Sequence, residues 1–154
     1  MRWLDATQQG AWRRFLDLHA RLTARLNREL QQTSGLTLSD YAVLVHLTDV
    51  PAGRLRGFEL GDRLQWDKSR VSKQVARLAA RGLVAKEECE ADRRGAYVVL
   101  TPDGRQAIDA AAPAHVELVH QLVFDTLTPG QIREWAAISS AILGRLEGSH
   151  GSAT

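Results

Sequence analysis

Residues 59–101 read ELGDRLQWDKSRVSKQVARLAARGLVAKEECEADRRGAYVVLT. Set on a helix at roughly 100° per residue, positions 68–81 place Val71, Val75 and Leu78 on one stripe. Arg70, Lys73, Arg77 and Arg81 fall on the opposite side, with Ser69 beside them. Asp67 is a good N-cap for this helix and Gly82 a good C-terminal stop. A short helix over 58–64 precedes it, separated by a tight turn. A helix, a tight turn and a second helix with small or basic residues in its first two turns form a helix-turn-helix pattern. Between Arg63 and Arg81 the only acid in the sequence is Asp67. A helix built for solubility intersperses both signs, so the uncompensated basic face points to phosphate. Lys68, Ser69, Arg70, Ser72, Lys73 and Arg77 are the candidate DNA contacts. Ser69, Arg70 and Lys73 would face base edges and Arg77 the phosphates.

Two strands, over 83–90 and 95–100, follow, and the second is rich in extended-state formers, Tyr97, Val98, Val99 and Leu100. The tip between them carries Asp92, Arg93 and Arg94 before Gly95. A minor groove has strongly negative potential and accepts an inserted arginine. Asp92 can hold Arg94 through a charge-assisted hydrogen bond. These three residues complete the candidate DNA-binding set.

Upstream, Trp12, Phe15, Leu16, His19, Leu22, Leu26 and Leu30 recur at three- and four-residue steps and predict a long amphipathic helix over 7–32. Thr37 and Asp40 have capping-box spacing and open a helix that carries Tyr41, Leu44, Val45 and Leu47. Pro51-Ala52-Gly53 breaks the chain, and Leu55 begins a very short strand. Downstream, Thr101-Pro102 opens a long helix to about residue 126, with a kink expected at Pro113. Thr128 and Gln131 repeat the start signal for a last helix to about residue 146. The small, polar tail 148–154 is expected to be disordered. The fold class is therefore mostly α with a small β hairpin. The expected organisation is an N-terminal dimerisation helix (1–35), a DNA-binding lobe (36–101) and C-terminal dimerisation helices (102–147).

The dimer is a physical expectation. Ile108, Val116, Val119, Leu122 and Val123, with Ile132, Trp135, Ile138, Ile142 and Leu146, exceed what a small lobe needs for its core. A two-fold homodimer would bury them and set two recognition helices about one DNA turn apart, predicting a palindrome with half-sites about 10 base pairs apart.

Composition fits this reading without deciding it. The chain has 154 residues, 44% hydrophobic and 25% charged, as in an ordinary globular protein. The net charge is +2, but residues 52–106 carry twelve Lys/Arg against eight Asp/Glu, so the positive excess is central. No apolar run approaches the roughly 18 residues of a membrane helix. The opening Met1-Arg2-Trp3-Leu4-Asp5 lacks the apolar core of a secretory leader, so a cytoplasmic location is expected. The one cysteine, Cys89, can form no internal disulfide.

Leu60-x3-Leu64, Lys68-Ser69-Arg70-Val71-Ser72, Arg77-Leu78-x2-Arg81-Gly82-Leu83-Val84 and Asp92-Arg93-Arg94-Gly95-x4-Leu100-Thr101-x2-Gly104 resemble the multiple-antibiotic-resistance regulator (MarR) family. The resemblance covers nearly the whole chain. It implies a winged helix-turn-helix flanked by dimerisation helices, in a homodimeric transcriptional regulator, most often a repressor. It also implies Arg94 in a minor groove, oriented by Asp92. Release from DNA by a small, often phenolic, effector in a crevice beside the dimer arms is a further implication. Trp12, His19, Tyr41 and His46 lie on helices expected near that crevice and are the candidate effector contacts. Trp66 stands where the family often has a smaller or aliphatic residue, and reads as packing in the turn.

Other chemistries find little support in the sequence. His115 and His120 are five apart, about 140° around a helix, so they do not share a metal ion as an i, i+4 pair would. No cofactor motif, nucleophile–base pair or glycine-rich phosphate loop marks an enzyme. Cys89 as an oxidation sensor is disfavoured by Glu87, Glu88 and Glu90, whose charge opposes thiolate formation. The remaining alternative is a winged-helix module that has lost DNA binding and uses its basic helix on an acidic protein partner.

Overall fold

The computed structural model describes residues 1–88 and 95–148. In chain order these form α1 (Ala6–Ser34), α2 (Leu38–Thr48), β1 (Arg54–Arg56), α3 (Gly57–Leu64), α4 (Lys68–Ala80), β2 (Val84–Glu87), β3 (Tyr97–Leu100), α5 (Pro102–Leu122) and α6 (Pro129–Gly148). The fold is mostly helical, with one small antiparallel sheet in the order β1-β3-β2. Leu55 pairs with Val98 across β1 and β3, and both are buried, which fixes the sheet's inner face.

Local chemistry sets the helix ends. Asp5 accepts from the Gln8 backbone N–H at 2.8 Å, while the Asp5 N–H donates to Gln8 Oε1 at 3.1 Å. This capping box starts α1 one residue earlier than the hydrophobic stripe indicates. Thr37 and Asp40 form the expected box on α2, and Thr128 and Gln131 form the one on α6. α5 runs through Pro113 but ends at Leu122, short of the expected residue 126. Val123 leaves helical geometry (φ −121°, ψ −68°), and the Thr126 hydroxyl donates to the Val123 carbonyl at 2.7 Å. Residues 124–126 therefore make a 3₁₀ turn instead.

The chain divides into two compact units, residues 1–115 and 116–154. In the first, Leu30, Leu36, Val43, Leu44, Leu47, Leu60, Val71, Val75, Leu78 and Val98 form one continuous core. That core draws on α1 through α4 and the sheet. Of the long stripe on α1 only Leu30 is buried; Trp12, Phe15 and Leu16 remain exposed. In the second unit Trp135, Ile138, Ile142, Leu143 and Leu146 on α6 are likewise exposed.

Around the end of α4 the packing is unusually close. Gly82 (φ +74°) ends the helix, and the Leu83 N–H closes back on the Leu78 carbonyl at 3.0 Å. The Thr101 hydroxyl donates to the Gly82 carbonyl at 2.6 Å and accepts from the Gly104 N–H at 3.0 Å. The first turn of α5 is thereby drawn onto Leu83. Among the described residues, no helix is long and apolar enough to cross a membrane.

Candidate nucleic-acid interface

α3 and α4 are joined by the three residues Gln65, Trp66 and Asp67. Gln65 is left-handed (φ 55°) and ends α3. The Trp66 N–H then donates to the Gly61 carbonyl at 3.0 Å. A Cβ on Gly61 would sit 3.1 Å from the Trp66 carbonyl and 3.3 Å from Val71 Cγ2, so glycine permits this close approach. Asp67 caps α4, accepting from the Arg70 N–H at 2.8 Å. Val71, Val75 and Leu78 are buried as the periodicity requires.

The outward face of α4 then follows. Ser69, Arg70, Lys73 and Arg77 come together along a shallow open depression of about 420 Å³, shared with Asp67 and Gln74. Lys68 and Ser72, also exposed, line a different groove between α3, α4 and the sheet, beside Phe58 and Lys86. Cys89, Asp92, Arg93 and Arg94 lie outside the described residues, as does the tail beyond Gly148. The stem below that tip is described. The Tyr97 ring meets two guanidinium groups, with Arg54 Cζ 4.4 Å and Arg56 Cζ 4.3 Å from its centroid. The buried Arg56 also donates to the Gly95 carbonyl at 3.3 Å.

One expectation needs correction. The basic face of α4 is not without counter-charge, because Asp40 on α2 supplies it. Asp40 is fully buried. It accepts from the Thr37 N–H at 2.8 Å and from the Gln74 side-chain amide. Its Oδ2 also lies 3.4 Å from Arg77 Nη2 and 3.3 Å from Arg81 Nη1. A buried carboxylate needs such partners, because desolvation otherwise makes its charge costly. Arg77 thus serves the fold with part of its guanidinium and keeps other donors for solvent or phosphate.

The effector candidates fall into separate groups within the chain. Trp12 stacks on Phe15 (centroids 5.5 Å apart), and Phe15 on His19 (6.3 Å), along the exposed side of α1. Tyr41, on α2, lies 4.4 Å from the His115 ring. Burial pushes the Tyr41 phenol up and holds the His115 imidazole below its ordinary range. His46 Nδ1 and His115 Nδ1 are both buried without a hydrogen-bond partner among the described residues. No group of three or more His, Cys, Asp or Glu side chains among the described residues has metal-site geometry.

A MarR family model matches residues 34–95, the stretch from the end of α1 past β2, stopping just short of β3. The transcriptional regulator HosA of Escherichia coli is 32% identical over 108 residues, covering 70% of this chain and 76% of HosA. The chain belongs to the MarR family. Its fold agrees throughout with solved members. AbsC, a MarR family transcriptional regulator from Streptomyces coelicolor, superposes with a TM-score of 0.89 at 38% identity, over 96% of this chain and 99% of AbsC. Sco3205, another from the same organism solved in complex with DNA, gives 0.88 at 38% identity, over 93% of this chain and 89% of Sco3205. This MarR family protein is a transcriptional regulator and not an enzyme.

Two residues beside the interface escape sequence reading. Asp40 is visible only as a helix cap, since its partners are 34 to 41 positions away. Trp66 does pack on the core, as expected. Its ring also carries the Arg70 guanidinium, with Cζ 4.1 Å from the centroid. The four-residue spacing of Trp66 and Arg70 across a helix start was the available signal.

Proposed function

We propose that this MarR family regulator is a cytoplasmic, homodimeric repressor that binds a palindromic DNA operator and releases it on binding a small-molecule effector. In this reading α4 enters the major groove, with Ser69, Arg70 and Lys73 toward base edges, Lys68 and Ser72 at the flank and Arg77 toward phosphate. Arg94, oriented by Asp92 and next to Arg93, reaches the adjacent minor groove. The observation that carries this reading is the division of α4 into a buried Val71–Val75–Leu78 stripe and an exposed basic face. The DNA-bound state of Sco3205 supports it. Residues 1–35 and 102–147 would act as dimerisation arms around the lobe formed by 36–101. The exposed Phe15, Leu16, Ile138, Ile142 and Leu146 support that role, since apolar faces of this extent mark interfaces. Trp12, His19, Tyr41 and His46 remain the proposed effector contacts, and an aromatic, phenolic ligand suits their ring-rich chemistry.

Sedimentation equilibrium should give the mass of two chains, and a monomer at micromolar concentration would remove the palindrome from the proposal. Selection of binding sites from a randomised duplex pool should return a two-fold symmetric sequence. Affinity for that sequence should fall linearly in log–log against salt. Arg70→Ala should weaken binding by about 1–3 kcal/mol and relax the preference at one position of each half-site. Arg94→Ala should lose a similar amount with the fold intact by circular dichroism. Affinities unchanged by both substitutions would rule out the proposed interface.

A further inference from the structure

We infer that Trp66 is a positioning residue for specificity, a fixed aromatic platform that aims the Arg70 guanidinium so that it demands a guanine at one position of each half-site. The inference rests on the reading of α4 as the major-groove helix and deepens it.

Trp66 is held on several sides. Its N–H is bonded to Gly61, its carbonyl lies against the space where a Gly61 Cβ would be, and its ring packs partly on the core. Arg70 lies in the first turn of α4, exposed, with its own backbone N–H fixed by Asp67. With Arg70 Cζ 4.1 Å from the Trp66 centroid, the backbone end and the charged end of this side chain are both restrained.

An exposed arginine otherwise samples many rotamers, and ordering it on binding opposes association. Stacking removes much of that freedom before DNA arrives. A guanidinium seated on a ring keeps N–H donors to offer, and its planar fork matches the O6 and N7 acceptors of guanine. Lys73, on the same side of α4, has a rotating ammonium that gives no such planar match. Among the described residues, the Arg70–Trp66 pair is the one cation–π contact on α4. Discrimination for guanine is therefore expected to concentrate at Arg70.

The test is site selection from a randomised duplex pool with the full-length protein. Wild type is compared with Trp66→Tyr, Trp66→Phe, Trp66→Leu, Arg70→Ala and the Trp66→Leu/Arg70→Ala double variant. Cation–π strength falls from Trp to Tyr and Phe. The guanine preference at the Arg70 position should decline in that order, by about two- to five-fold overall, with preferences at other positions kept. The double variant should lose no more preference than Arg70→Ala alone, because the ring acts through the arginine. An equal preference in wild type and Trp66→Phe, or uniform weakening at every position, would overturn the inference and leave Trp66 as packing. Trp66→Phe keeps an aromatic filler and answers the question even if Trp66→Leu fails to fold. Loss of the preference in Arg70→Ala alone would refute the platform while sparing the interface. No guanine dependence on Arg70 at all would refute the α4 reading itself, and the platform with it.

Discussion

Gly104→Ala is expected to destabilise the protein by roughly 3 kcal/mol or more, at or above the upper end for overpacking a filled site. A Cβ on this residue would lie 2.0 Å from the Leu83 carbonyl oxygen and 3.0 Å from its carbon, with Leu100 Cδ1 at 2.9 Å. Two of these neighbours are backbone, so no rotamer change relieves the clash. Either α5 moves away from Leu83, or the link between α4 and β2 deforms. Both movements pull on the Thr101 hydroxyl, which joins the Gly82 carbonyl to the Gly104 N–H. For a chain of this length, 3 kcal/mol corresponds to a Tm lower by about 6–12 °C. Thermal unfolding followed by circular dichroism reads this directly. A Tm within about 2 °C of wild type would mean that α5 and Leu83 part at little cost.

Removing the buried carboxylate on α2 comes next in size. Asp40→Ala should lower stability by about 2–3 kcal/mol, as expected when charged hydrogen bonds are deleted and their partners left behind. The Thr37 N–H loses its capping-box acceptor and the Gln74 amide loses its partner inside the fold. Arg77 and Arg81 lose their counter-charge, but their side chains are 58% and 41% exposed and can rehydrate. That exposure keeps the loss below what breaking a wholly buried pair would cause. Urea denaturation should show a lower midpoint at an unchanged slope. DNA affinity should fall as well, since Asp40 orients the helix that carries Arg70 and Lys73. A stability change under about 0.5 kcal/mol would show that these contacts are incidental.

What could be read from sequence was local. The stripe of Val71, Val75 and Leu78, the Asp67 cap and the Thr37 and Thr128 boxes depend on residues within one or two helical turns, and the structure has them where periodicity put them. The boundary of α5 is not legible in the apolar spacing, because a backbone departure at Val123 and a hydroxyl at Thr126 end the helix where that spacing would continue it. Charge along the chain leaves the basic face of α4 uncompensated, whereas Asp40 reaches Arg77 and Arg81 from another helix. The Tyr97 stack and the Gly104–Leu83 approach are equally non-local. Trp66 is the intermediate case. Its packing was legible from the turn, but its hold on Arg70 needed the direction of a ring.

The contact of Arg56 with Tyr97 has a bearing on how this regulator tolerates its surroundings. The Arg56 guanidinium, buried and 4.3 Å from the Tyr97 ring centroid, is screened by dissolved ions far less than an exposed charge is. If α4 holds DNA as proposed, a rise in salt would loosen that grip while this corner of the fold keeps its shape, so that rebinding would need only dilution and no refolding.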